Sequence, residues 1–193
     1  MSSLRVISGS ARGRRLQSVP GDSTRPITDR TKESLFNILG ADIYGASLLD
    51  LFGGTGAVGI EALSRGAAYV RFIDLNRQAV QTIRANLQIT QLGEKAAVLR
   101  MDAFQYLQRT PDRHFDYVYI APPQYKDMWV KAMQLLDDHT GWLDPDAWII
   151  VQIHPVEYHP LELLNFSEFD RRKYGSTLLI FYERKDLPAP ADD

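Results

Sequence analysis

Apolar and polar positions along this chain switch repeatedly between the two-residue alternation of a strand and the 3.6-residue rhythm of a helix. Strand-like SLLDLF (47–52) leads into a glycine-rich loop and a helix at about 57–65. YVRFID (69–74) precedes the helical RQAVQTIRANLQIT (77–90), and AAVLRMD (96–102) precedes a short helical FQYLQR. FDYVYIA (115–121) is followed by a helix near 127–137, and WIIVQI (148–153) reads as a further strand. FDRRKYG and STLLIFYER, at the C-terminal end, have the pattern of an antiparallel hairpin. Strands alternating with helices indicate a mostly parallel sheet with right-handed crossovers, an α/β fold.

Ahead of that core, LRVIS (4–8) and RLQSV (15–19) flank Gly9-Ser10-Ala11-Arg12-Gly13, which predicts a β-hairpin. Thr28 is a suitable N-cap for a helix whose Leu35, Ile38 and Leu39 share one face and which ends near Gly40. The expected organisation is therefore an N-terminal basic hairpin and helix (1–40) belonging to the same domain as the core (41–185). A Pro- and Asp-rich tail, DLPAPADD (186–193), is expected to be disordered. No internal repeat is present.

Ligands of open parallel sheets bind outside the carboxyl ends of the strands, and four loops there carry chemistry. Between the first core strand and its helix lies Asp50-Leu51-Phe52-Gly53-Gly54-Thr55-Gly56-Ala57-Val58-Gly59, with Gly54, Gly56 and Gly59 forming GxGxxG in the strand–helix context that motif requires. Asp74 ends the next strand 20 residues after Gly54, where a carboxylate accepts hydrogen bonds from ribose hydroxyls. The pair indicates a nucleoside-containing cofactor, with NAD and S-adenosylmethionine (SAM) both compatible. Asp102, followed by Ala103 and Phe104, ends the third strand; it is equally suited to accept from an adenine amino group and to cap the next helix. A dehydrogenase would need a substrate domain, for which 193 residues leave no room. The fourth loop is Ala121-Pro122-Pro123-Gln124-Tyr125, a rigid turn at a strand end followed by an aromatic. It decides for SAM.

Composition narrows the chemistry further. The chain has no cysteine, which excludes disulfides, Cys–zinc sites and the cysteine adduct of C5-pyrimidine methylation. His114, His139, His154 and His159 lack metal-ligand spacing. With no signal-like N-terminus and no long apolar run, a cytoplasmic location without membrane attachment is expected. Net charge is −2, yet residues 1–35 hold seven cationic against three anionic residues, a local +4 suited to phosphates.

The stretches RVISGSARGRRL, RPITDRTKESLFNIL, LLDLFGGTGAVGIEALSRGA, FIDLNRQAV and APPQY make the chain similar, over almost its whole length, to the RsmD-type family of 16S rRNA guanine-N2 methyltransferases. The resemblance implies a Rossmann-like class I SAM-dependent fold with a seven-stranded sheet. It implies SAM bound by Asp50, Gly53, Gly54, Gly56, Asp74, Asp102 and Ala103, and a target pocket of Ala121, Pro122, Pro123, Gln124 and Tyr125. Arg12, Arg14, Arg15, Arg25 and Arg30 are the expected contacts to 16S rRNA or a small-subunit intermediate, and a monomer is expected. In the family an Asp or Asn precedes the two prolines and supplies an oxygen to the target amine; here that position is Ala121, and Gln124 stands where an aromatic is usual. Three readings follow: a guanine-amine methyltransferase rebuilt around Gln124, a SAM- and RNA-binding relative with weak or no catalysis, and an amine methyltransferase with another nucleic-acid or protein target.

Overall fold

The computed structural model describes residues 4–21, 26–124 and 126–185. Seven strands form one sheet in the order β3-β2-β1-β4-β5-β7-β6. They are β1 (Ser47–Asp50), β2 (Tyr69–Asp74), β3 (Ala96–Arg100), β4 (Phe115–Ile120), β5 (Leu143–Ile153), β6 (Phe166–Tyr174) and β7 (Thr177–Arg184). The first five run parallel, and β7 enters antiparallel between β5 and β6. The helices are α1 (Asp29–Leu39), α2 (Ala57–Ser64), α3 (Arg77–Thr90), α4 (Ala103–Leu107) and α5 (Met128–Asp138). None of the helices described is long and apolar enough to cross a membrane.

Both faces of the central strands are covered, so their residues are apolar in runs rather than in strict alternation. Leu48 and Leu49, adjacent on β1 and fully buried, point into opposite layers. One layer joins the N-terminal arm (Leu4, Val6, Leu16) with Leu35 and Phe36 of α1, Ile60 of α2 and Ile83 of α3. The other packs Tyr106 of α4 and Trp129, Met133 and Leu136 of α5. Local signals set the helix ends. The Thr28 side chain accepts from the Thr31 amide, and Gly40, at φ 60°, closes α1 with its N–H on the Phe36 carbonyl. Asn76 caps α3 in the same way through the Gln78 amide. On α2, Gly59 permits close packing, because a Cβ there would lie 2.3 Å from the Phe72 ring of β2.

Three details depart from the sequence pattern. The N-terminal hairpin is held by a single antiparallel bridge, Arg5 with Arg15, rather than by two strands. Its backbone is fixed mainly by side chains of α2 and α3. β5 begins at Leu143, five residues before WIIVQI, because Asp144–Ala147 bulge opposite Asp116 alone where the register jumps between Phe115 and Tyr117. Pro145 is tolerated in that bulge. Lastly, β1, β3 and β4 stop short of the apolar runs that suggested them, since Leu51, Phe52, Met101 and Ala121 already belong to the ligand-facing loops.

Candidate functional site

β1 lies between β2 and β4, so chain direction across the sheet reverses there, and the loops after these strands open at one crevice. The loop after β1 turns tightly: the Gly56 amide donates to the Gly53 carbonyl at 2.7 Å, and the Gly53 amide to the Ile73 carbonyl at 3.0 Å. Gly54 and Gly56 adopt φ +55° and +77°, a region costly for other residues. Their roles differ. A Cβ on Gly54 would meet only the Phe52 carbonyl, at 3.9 Å, so this glycine leaves room for a ligand. A Cβ on Gly56 would press on Ile60 and Ile83 at 3.3 Å, so this one serves the turn and its packing.

Three carboxylates stand at the ends of the neighbouring strands β1, β2 and β3. Asp74, ending β2, accepts from the Gly54 amide (2.9 Å) and the Asn76 amide (2.8 Å), one on each oxygen. It stitches the first two loops together. Asp102 is the N-cap of α4, its Oδ1 accepting from Phe104 and Gln105 at 2.9 Å. Of the two sequence readings the cap is formed, and it engages one oxygen; Ala103 is the buried first residue of α4. Phe104 meets Phe52 of the glycine loop edge to face, with ring centroids 6.1 Å apart. Asp50 is the unusual member. It is 1% exposed, and its Oδ1 has no hydrogen-bond partner among the described residues. Burial and then the charge of Asp74 push its carboxyl up to about 7, against the pull of the Gly59 and Phe52 amides. A buried, half-unpartnered carboxylate beside an open glycine turn fits a ligand bearing positive charge and N–H or O–H donors.

The double proline follows directly on β4, whose Tyr119 is paired with Asp50 in register. Ala121, Pro122 and Pro123 are partly exposed, and Gln124 is exposed in a turn before α5. Tyr125 lies outside the described residues. The Tyr119 hydroxyl donates to Gln152 on β5, and burial drives its pKa far up.

Arg12, Arg14, Arg15 and Arg30 are all exposed, while Arg25 lies outside the described residues. Arg14 donates to the Ile89 carbonyl of α3 at 2.9 Å. Two other cations in the sequence count are not available for phosphates. Arg5 pairs with Asp29 at 2.9 Å, and Lys32 is fully buried, 3.5 Å from Glu61, with its pKa lowered by burial. Glu61 also accepts from the Ile7 and Ser8 amides and from Arg65. Asn86, likewise fully buried, bonds Gln17 of the arm and Thr55 of the glycine loop. Sequence reasoning counted Lys32 among the cations suited to phosphates and passed over Glu61 and Asn86. Their signal was present: each is a polar residue on the buried side of its helix, and such residues need specific partners.

Among the described residues no His, Asp or Glu group could hold a metal ion. His154 caps a turn, its Nδ1 accepting from Val156. Two surface hollows open elsewhere, along α3 and the β3 edge and around Arg71, Arg109 and Asp112. In the second, Arg71 is already engaged, bonding Asp112 at 2.6 Å and Tyr106 at 2.8 Å. Neither borders the glycine turn.

Residues 4–183 match the family model described as conserved hypothetical protein 95. YlbH of Bacillus subtilis is 40% identical over 185 residues, 94% of this chain and 100% of that protein. "Ribosomal RNA small subunit methyltransferase D" of Escherichia coli K12 is 34% identical over 182 residues, 94% of this chain and 90% of its own length. Among solved structures, the yhhF protein of Escherichia coli superimposes with a TM-score of 0.84 at 34% identity, covering 96% of this chain and 99% of that one.

Proposed function

This chain belongs to the family of the ribosomal RNA small subunit methyltransferases D, and we propose that it transfers a methyl group from SAM to the exocyclic N2 amine of a guanine in 16S rRNA. The observation that supports the reading is that Asp50, Asp74 and Asp102 stand at the carboxyl ends of three neighbouring strands, with Asp74 bonded to the glycine turn, and that the Ala121-Pro122-Pro123 turn follows β4, the next strand of the sheet.

When bound, SAM supplies a methyl carbon made electrophilic by the sulfonium sulfur. Asp74, at the end of β2, is the acceptor for ribose hydroxyls, and Asp102 has an oxygen beyond its cap for the adenine amine. Asp50 supplies a buried negative charge for the cationic end of the molecule. At the target, the chain need only fix geometry and aim acceptors. The guanine amine is a weak nucleophile because its lone pair is delocalised into the ring. Acceptors on its N–H bonds favour the pyramidal nitrogen that forms a bond to carbon as the carbon–sulfur bond breaks. The carbonyls of Ala121 and Pro122, held by the proline turn, and the Gln124 amide oxygen are this chain's acceptors for that task. The proton released from nitrogen passes to solvent at the exposed turn. Arg12, Arg15 and Arg30 hold the rRNA backbone through its phosphates.

Ala121 favours a second reading as well. Loss of one preorganised hydrogen-bonding group typically costs about two to three orders of magnitude in rate. A SAM- and RNA-binding protein with little catalysis is thus the alternative. Incubating the purified chain with isotope-labelled SAM and undermethylated small ribosomal subunits tests both, with nuclease digestion to nucleosides. Label in N2-methylguanosine supports the proposal; binding of SAM and subunits with no transfer selects the alternative.

A further inference from the structure

Asn86 lies in the C-terminal half of α3, fully buried, on the stripe it shares with Ala79, Val80, Thr82, Ile83, Leu87 and Thr90. An amide at such a position is costly unless satisfied, and here it is satisfied in two directions. Toward the N-terminal arm, its Oδ1 accepts from the Gln17 amide at 2.7 Å, and its Nδ2 donates to the Gln17 carbonyl at 3.0 Å. The side chain thereby pairs with Gln17 as a neighbouring strand would. Toward the cofactor loop, Nδ2 donates to the Thr55 carbonyl at 2.9 Å. Thr55 lies between Gly54 and Gly56, both at positive φ, so its peptide is flanked by the two residues freest to pivot. One side chain thus fixes both the swing of the glycine turn and the base of the arginine-bearing arm.

We propose that Asn86 is a positioning residue that couples the cofactor loop to the arm, so that cofactor binding orders the arm and RNA binding tightens the cofactor site. The inference rests on the reading of the loop as a SAM site and of the arm as an RNA contact. The physical basis is shared ordering. A ligand that freezes the Gly54–Gly56 turn fixes the Thr55 carbonyl, which holds the Asn86 amide in its bridging rotamer and hence Gln17 in place. Whatever the arm contributes to RNA binding is then partly prepaid when the cofactor is present, and linkage makes the effect reciprocal. The remaining arm anchors run by another route. Ile7 and Ser8 donate to Glu61, and Ser10 and Ala11 donate to Ser64, at the end of α2 remote from the turn. They hold the first half of the arm without touching Thr55, which makes them an internal control.

The test is hydrogen exchange on the full chain with and without S-adenosylhomocysteine (SAH), the demethylated cofactor. In the natural protein, SAH should slow exchange of the peptide containing Gln17 by about tenfold, toward the lower end of the range for such couplings. Peptides holding Ile7 and Ser8 should change little. In Asn86→Ala the SAH-dependent protection at Gln17 should vanish even where SAH, added at saturation, still protects the glycine loop. Asn86→Asp keeps the acceptor for the Gln17 amide but loses the donor to both the Gln17 and Thr55 carbonyls, so it should hold the arm by one bond and lose its response to SAH. A purely structural residue would lower protection of the arm with and without SAH alike. If SAH protects the loop of the natural protein and leaves Gln17 unchanged, the coupling is refuted, whatever the variants do. If SAH does not bind at all, it is the cofactor reading that fails.

Discussion

Replacing Asp50 with asparagine isolates the group that the fold treats most harshly. Its carboxyl is pushed from 3.8 to about 7 by complete burial and by Asp74. At about 1.4 kcal/mol per pH unit, holding the ionised form in that environment costs about 4 kcal/mol. The folded state therefore binds this proton more tightly than the unfolded chain does. Its stabilising effect is full below about pH 4, declines as the pH rises, and is lost by about pH 7. Asp50→Asn, nearly the same shape and never charged, should remove that slope. Its advantage over the natural protein should grow from near zero at pH 4 to as much as about 4 kcal/mol at pH 8, a shift of about 8–16 °C in melting temperature for a chain of this size. The gain should come at the expense of cofactor affinity. SAM carries a sulfonium and an ammonium group, so its binding favours the ionised carboxylate and displaces a proton. For the natural protein, affinity should rise about tenfold per pH unit between pH 5 and 7 and then level off. Calorimetric titration in two buffers of different ionisation heat measures the proton release, and thermal unfolding across pH measures the effect on stability. Parallel stability curves for the two proteins, with no proton released on binding, would refute the assignment of Asp50.

Asp74→Ala removes the clasp between the Gly54 and Asn76 amides together with the ribose acceptor, and should weaken SAM binding by at least about 30-fold; an unchanged calorimetric affinity would remove Asp74 from the site. Gln124→Ala should lower methyl transfer by roughly tenfold with little change in SAM affinity, because its acceptor matters mainly in the transition state. Ala121→Asp should raise the rate, and equal rates for Gln124→Ala and the natural protein would show that the backbone carbonyls suffice. Replacing Arg12, Arg14 and Arg15 together should weaken RNA binding alike for different sequences and reduce the log–log salt slope by about 0.7–0.9 for each phosphate no longer neutralised. An unchanged slope would make them a solvated arm only.

The architecture was legible because period and punctuation agree in the core. YVRFID and RQAVQTIRANLQIT coincide with β2 and α3 residue for residue, and Thr28 and Gly40 bound α1 as their chemistry suggests. The spacing of Asp50, Gly54, Gly56 and Asp74 was equally readable, since each sits at a strand end or a turn that its residue type favours. Partnership was not. Periodicity cannot tell that Lys32 turns inward to Glu61 and leaves the basic count of the arm, because the pattern of a helix names a face but not what covers it. Nor can it show that Gly56 faces Ile60 and Ile83 whereas Gly54 faces open space, since both satisfy the same motif. The arm reads as a hairpin but pairs at one bridge, because Glu61, Ser64 and Asn86, 53 or more residues further on, supply partners that a second strand would otherwise provide.

Everything proposed for this chain turns on the atom that receives the methyl group. Mass spectrometry of nucleosides from 16S rRNA, compared between cells with and without this gene, addresses it directly. One N2-methylguanosine per 16S molecule should disappear on deletion and return when the gene is restored, but not when it is restored as Asp74→Ala. An unchanged N2-methylguanosine content, or loss of a different methylated nucleoside, would contradict the assignment.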